Sequence, residues 1–182
     1  MEKMIYVDLD KCVGCHTCEI ECAVEHSESK DLFTAIHEEP LPQYRIDVEY
    51  FDESNIPWQC RHCEDAPCVT VCPTEAINRE NEESPVVVDD EKCIGCKMCI
   101  QVCPFGVLKI SRSGGVITKC DLCIERLEED EEPACVEGCP TNALQFMTVE
   151  EISKKKKEES QRELLTAFRK GSELAKEQAG TE

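Results

Sequence analysis

Sixteen cysteines stand in this chain of 182 residues, in four groups of four with none left over. The groups are Cys12, Cys15, Cys18, Cys22; Cys60, Cys63, Cys68, Cys72; Cys93, Cys96, Cys99, Cys103; and Cys120, Cys123, Cys135, Cys139. Little else is available to build a core. Hydrophobic residues reach 41% only with the cysteines counted among them, and aromatic residues are 5%. A chain so poor in large apolar side chains is held by disulfides or by metal. The opening MEKMIYVDLDK has no apolar leader, no small-residue cleavage site and no twin arginine. No apolar run approaches the roughly 18 residues that span a bilayer. A cytoplasmic location is therefore expected, and with it reduced thiols that serve as metal ligands.

Spacing narrows the metal. Groups one and three share C-x2-C-x2-C-x3-C, the run of bacterial ferredoxins, in which three thiolates wrap one face of a cubane iron–sulfur cluster and the fourth points to a neighbouring cluster. Zinc is the competing ion, because C-x2-C pairs are common zinc knuckles. The C-x2-C-x2-C triplets, however, leave a third thiolate that one tetrahedral ion accommodates poorly. Cys72, Cys103 and Cys139 are each followed by proline, as in the ferredoxin run, whereas Cys22 is followed by Ala23.

The chain also repeats itself. YVDLDKCVGC at 6–15 aligns with VVDDEKCIGC at 87–96, an offset of 81 that carries group one onto group three. Group two maps onto group four once seven residues are inserted in the acidic loop around 128–132. The order is thus A-B-A′-B′, which alone leaves the pairing of groups open. Segment 58–110 reads as a continuous two-cluster ferredoxin, so groups two and three pair and groups one and four must find each other across the chain. The expected fold class is α+β, two ferredoxin-like modules forming a polyferredoxin. The outer module takes 1–57 and 111–148, the inner one 58–110, and 149–182 is a polar helical tail. Short strands are expected at 5–7, 86–88 and 116–118, with short helical turns after each fourth cysteine.

The four-group order, the C-x2-C-x4-C-x3-C second group and the long loop inside the fourth resemble the four-cluster iron–sulfur subunits of the dimethyl sulfoxide reductase and formate dehydrogenase type. CAVEHS at 22–27 and QCRHCEDAPC at 59–68 are similar to the branch containing the electron-transfer subunit of carbon monoxide dehydrogenase. The resemblance covers residues 4–148 and implies four [4Fe–4S] clusters with crossed ligation. It gives cluster one to Cys12, Cys15, Cys18 and Cys139, and cluster two to Cys22, Cys120, Cys123 and Cys135. Cluster three falls to Cys60, Cys63, Cys68 and Cys103, and cluster four to Cys72, Cys93, Cys96 and Cys99.

Nothing in the sequence adds catalysis to these clusters. Nucleophile motifs, Gly-rich phosphate loops and dinucleotide fingerprints are missing. Of the histidines His16, His26, His37 and His62, two lie inside cysteine groups, where a bond to a cluster or plain exposure is expected before catalysis. Lys11, Lys92 and Lys119 each precede the first cysteine of a group, and Arg61 follows Cys60; such cations either raise a cluster's reduction potential or are merely solvated. Trp58 is expected to shield the cluster beside it. With 39 acidic against 20 basic side chains, a net charge of -19 repels nucleic acid and anionic membrane and favours basic patches on a protein partner. In the tail, Leu164, Phe168 and Ala175 lie at near-helical spacing, a solvated face or a dock for a partner or a second copy. The basic run 154–157 is expected to pair with acidic neighbours.

The expected function is electron transport. As a metal-binding oxidoreductase subunit, the protein would relay single electrons between a catalytic redox subunit and a second redox protein. Carbon monoxide dehydrogenase leads by resemblance, with tungsten aldehyde oxidoreductase, formate dehydrogenase and hydrogenase as rivals. The alternative is a stand-alone soluble polyferredoxin without a fixed partner.

Overall fold

Short β-branched stretches flank each cysteine group and pair with one another, so that every group hangs between strands. The structure, a computed structural model, describes residues 3–179, and side chains through Lys170. Strand β1 (Lys3–Val7) leads into group one through a 3-10 turn at Leu9–Lys11, and helix α1 (Thr17–Glu25) follows, then α2 (Leu32–Ala35). The hairpin β2 (Ile46–Phe51) and β3 (Ser54–Gln59) leads into group two, which holds α3 (Pro67–Thr70) and leaves through β4 (Ile77–Asn78). Strand β5 (Val87–Val88), α4 (Met98–Val102) and β6 (Lys109–Ile110) frame group three. Group four runs from β7 (Ile117–Thr118) through α5 (Ile124–Glu128) and α6 (Ala134–Glu137) to β8 (Leu144–Thr148), after which α7 (Val149–Ala179) begins.

The pairings form a ring. Strand β2 pairs antiparallel with β3, with Ile46 opposite Gln59 and Phe51 opposite Ser54. Asp52 and Glu53 at the turn both have positive φ, as a hairpin matched to strand twist requires. Strand β4 pairs antiparallel with β5 and β6 with β7, while β8 returns to β1. The strand leaving each group therefore lies beside the strand leading into the next, and the fourth group closes on the first. The repeat is visible in single bonds: Asp8 N–H donates to Ala143 O at 2.8 Å, and its counterpart Asp89 N–H donates to Ala76 O at 2.7 Å. The module boundary read at 57/58 falls inside β3.

Proline explains a difference between groups one and three. Cys103 precedes Pro104, which pushes it into extended backbone (ψ 116°) and ends α4 at Val102. Cys22 has Ala23 after it, so α1 continues to Glu25 and Cys22 sits on the helix, one turn beyond Cys18.

Two hydrophobic clusters carry the packing in the unit spanning Lys3–Phe146. One gathers Ile5, Ile46, Val48, Val136 and Leu144 around Cys18, Cys22, Cys135 and Cys139. The other gathers Ile77, Val86, Leu108 and Ile117 around Cys63, Cys68, Cys72, Cys93, Cys99 and Cys103. Cysteines of groups one and four share the first, those of groups two and three the second. The segment from Met147 onward forms a separate unit. On α7, Leu164, Leu165 and Phe168 are exposed and Lys156 pairs with Glu159 at 2.9 Å, while the side chain of Ala175 lies outside the described residues. No described helix is long and apolar enough to cross a membrane.

Candidate metal centres

Left-handed kinks at matching positions bend each group so that its thiols converge. In groups one and three they fall at Gly14 (φ 65°) and His16 (60°), and at Gly95 (64°) and Lys97 (64°). In groups two and four they fall at His62 (48°) and Leu122 (66°), two residues after the first cysteine. Glycine meets this demand without strain. The kinks also turn backbone N–H groups toward sulfur. His62 N–H reaches Cys60 Sγ at 3.4 Å and Leu122 N–H reaches Cys120 Sγ at 3.4 Å. Ala143 N–H reaches Cys139 Sγ at 3.3 Å and Arg45 N–H reaches Cys22 Sγ at 3.2 Å. Such N–H···S bonds are a main lever on cluster potential.

The thiols converge across sequence. Cys12, Cys15, Cys18 and Cys139 line one small pocket together with Val48, Pro57 and Leu144. Cys22 instead faces group four, where its charge acts on the thiols of Cys120, Cys123 and Cys135. In the other half, Cys60 and Cys103 both act on Cys68, and Cys72 packs in the same apolar cluster as Cys93 and Cys99. Cys96 acts on Cys99. Cys15 and Cys96 are exposed, whereas Cys120, Cys123 and Cys135 are buried.

Burial sets the chemistry these thiols can do. It pushes Cys18 up to about 12, with the charges of Glu19, Cys139 and Cys15 adding to it. Burial likewise raises Cys123 to about 12 and lifts Cys120 and Cys135 as well, each aggravated by neighbouring thiols. Four such thiols cannot ionise together in an apolar pocket unaided. A metal supplies the positive charge that deprotonates coordinating thiols outright, so the donor set and its burial fit iron–sulfur clusters. All sixteen cysteines are free.

Around the thiols lies a polar frame that sequence motifs did not reveal. His26 Nε2 meets Asp121 Oδ1 at 3.0 Å, Arg45 Nη1 donates to Asp121 Oδ2 at 2.5 Å, and His26 Nδ1 lies 2.7 Å from Cys22 O. Burial opposes charge on His26, but the bonds to Asp121 and Cys22 outweigh it and raise the imidazole to about 10. Burial of Asp121 is outweighed in turn by His26 and Arg45, which hold its carboxyl well below the usual range. His26 stands in the CAVEHS segment at 22–27, but its partner is 95 residues away, beyond any local pattern.

The other expected residues divide. His16 is exposed and pairs with Glu19 at 3.0 Å. His62 is 3% exposed. Its Nδ1 accepts from Val86 N–H at 3.1 Å, so the neutral ring carries its proton on Nε2, a buried donor with no partner among the described residues. Burial, with the charges of Lys119 and Arg79, lowers His62 to about 3. Trp58 donates to Phe105 O at 2.8 Å, meets the Phe105 ring edge-on and carries Arg61 over its face.

Four groups of free thiols in two ferredoxin-like halves, several of them accepting from backbone N–H groups, define an iron–sulfur electron-transfer protein. It belongs to the 4Fe-4S dicluster domain family, which matches residues 51–149, with a second 4Fe-4S dicluster match at 11–77. With sixteen cysteines in the ferredoxin-like motifs of these domains, the protein is one of four [4Fe–4S] clusters. An iron-sulfur protein of Rhodospirillum rubrum is 36% identical over 178 residues, covering 91% of this chain and 93% of that one. Electron transport protein HydN of Escherichia coli (strain K12) is 40% identical over 159 residues, covering 79% of this chain and 87% of HydN. One of the polypeptides of anaerobic dimethyl sulfoxide reductase, from the same strain, is 37% identical over 165 residues, covering 82% of this chain and 75% of its own length.

Proposed function

We propose that this protein is the non-catalytic electron-transfer subunit of a cytoplasmic oxidoreductase and that it holds its clusters by crossed ligation. Cys12, Cys15, Cys18 and Cys139 hold one cluster, and Cys22, Cys120, Cys123 and Cys135 a second. Cys60, Cys63, Cys68 and Cys103 hold a third, and Cys72, Cys93, Cys96 and Cys99 a fourth. The observation that carries this reading is the cavity Cys139 shares with the first three cysteines of group one. The two apolar clusters, each with its own pair of groups, support it further.

When bound, such clusters store and release single electrons. The protein's own residues set the conditions for that. Apolar packing keeps water from the buried thiols, those of Cys120, Cys123 and Cys135 above all, backbone N–H groups brace several sulfurs, and His26 keeps a positive charge beside Cys22. The near titratable groups are engaged in these structural bonds, His26 with Asp121 and His62 with Val86, which leaves them poor acid–base catalysts.

The relative named as one polypeptide of a reductase supports a fixed catalytic partner here as well. The segments at 22–27 and 59–68 make a carbon monoxide dehydrogenase the first candidate, ahead of aldehyde oxidoreductase, formate dehydrogenase and hydrogenase types. A fixed partner should co-purify in stoichiometric amount; a protein isolated alone from its native cell supports the shuttle instead.

Paired cysteine variants test the ligand sets by iron content. Cys22→Ala combined with Cys120→Ala should cost no more iron than either alone, because both strike one cluster. Cys22→Ala combined with Cys12→Ala should add their losses. The reverse pattern would refute crossed ligation.

A further inference from the structure

The three lysines that precede a cysteine group are not equivalent. Lys11 and Lys92, related by the repeat, stand half-exposed, each bridged to the aspartate three residues earlier, Asp8 at 3.0 Å and Asp89 at 2.7 Å. Lys119 is 3% exposed. Its ammonium donates to the carbonyls of Val86 and, at 2.7 Å, of Cys120. No carboxylate among the described residues pairs with it.

An ammonium taken out of water is costly unless a negative charge compensates it. Carbonyls satisfy its hydrogens but carry no net charge. Val86 belongs to the apolar cluster of groups two and three, and Cys120 opens group four. Lys119 therefore ties the two halves at their junction. Gln59, at the matching place before Cys60, is equally buried but neutral, so of these two matching positions only Lys119 brings a charge. The charge reaches thiols on both sides: at Cys68 and at Cys120 it acts against the rise that burial imposes.

We propose that Lys119 is a built-in counter-cation shared by two clusters, the one under Cys60, Cys63, Cys68 and Cys103 and the one under Cys22, Cys120, Cys123 and Cys135. Its fixed charge raises their reduction potentials above those they would have without it. The inference rests on the ligand sets proposed above. The sign is simple: each one-electron reduction adds a negative charge beside the ammonium, so the cation favours the reduced form.

The test is a redox titration of the four-cluster protein, with dithionite as electron donor and each midpoint read by electron paramagnetic resonance. In Lys119→Met, two of the four midpoints should fall, each by about tenfold in the reduction equilibrium, or ~59 mV for one electron. Lys119→Arg should keep the wild-type values, and Lys11→Met and Lys92→Met should leave those two midpoints in place. Four unchanged midpoints, or an equal fall in all four, would overturn the proposal. Should Lys119→Met assemble fewer clusters while Lys119→Arg assembles all four, the charge is what holds them, as proposed; equal failure of both would assign the residue to packing and refute it. The paired cysteine variants test the ligand sets separately, so that additive iron loss for Cys22 and Cys120 discredits the assignment of clusters and leaves the midpoint shifts standing.

Discussion

Gly14 and Gly95 occupy the same position in the repeat, yet alanine should be tolerated at one and not at the other. Both have left-handed backbone, φ 65° and 64°, which costs an L-residue about 1–2 kcal/mol. The narrower freedom of alanine in the unfolded chain returns about 0.4–1 kcal/mol of that. Up to this point the two sites are equal. The difference lies in what a Cβ would meet. At Gly14 it would stand 2.5 Å from Asn55 Oδ1, the end of a side chain that can rotate away. At Gly95 it would stand 1.9 Å from the carbonyl oxygen of Gly115, in the backbone between β6 and β7. Moving that backbone adds the cost of overpacking, about 1–3 kcal/mol. Gly14→Ala should therefore cost about 1 kcal/mol and Gly95→Ala about 2–4 kcal/mol. Because unfolding releases iron irreversibly, stability is best read as a rate, the anaerobic loss of visible absorbance in guanidinium. A gap of about 2 kcal/mol corresponds to roughly thirty-fold faster bleaching for Gly95→Ala than for Gly14→Ala. Equal rates would mean that the β6–β7 turn yields freely and that its approach to Gly95 contributes nothing.

Iron and sulfide analysis after anaerobic purification should find close to sixteen of each per chain, four for each of the four clusters, and stoichiometric zinc with negligible iron would sink the cluster assignment. Deleting 150–182 should leave iron content intact while weakening partner binding or self-association, measured by co-purification and by sedimentation; loss of iron would make α7 part of the cluster scaffold. Arg126 joins Glu25 and Glu131 at 3.1 Å each and also Glu137, gathering α1, α5, α6 and the acidic loop around one cation. Arg126→Ala should cost about 1–2 kcal/mol as a charge network, with the gap in bleaching rate narrowing at high salt. A gap independent of salt would assign the effect to packing.

How much of this was legible in the sequence depends on range. Thiol spacing is local chemistry, so the four groups, the repeat and the family could be read from the letters alone. Strands β4 to β7 are two residues each, too short for any alternation to announce them, and their ring of pairings emerges only in three dimensions. The missing proline after Cys22 was visible, but its effect, a helix that runs on to Glu25, depends on what the backbone does next. Three lysines before three cysteines look alike as letters. Burial alone separates Lys119 from the two that reach water, and burial is a property of the folded whole. The same holds for Asp121, an ordinary acid among 39 until His26 and Arg45 close on it.

The return of β8 to β1 has a topological consequence. A closed ring of strand pairings has no privileged starting point, so a circular permutant should preserve every one of them. With Thr148 joined to Lys3 by a short peptide and the chain opened in the turn at 113–115, the groups would read four, one, two, three. Groups four and one would then be contiguous, as groups two and three already are, and the molecule would become two ferredoxins in tandem. The long separation between Cys22 and Cys135 along the chain is thus a matter of connectivity alone; the arrangement of the thiols is indifferent to it.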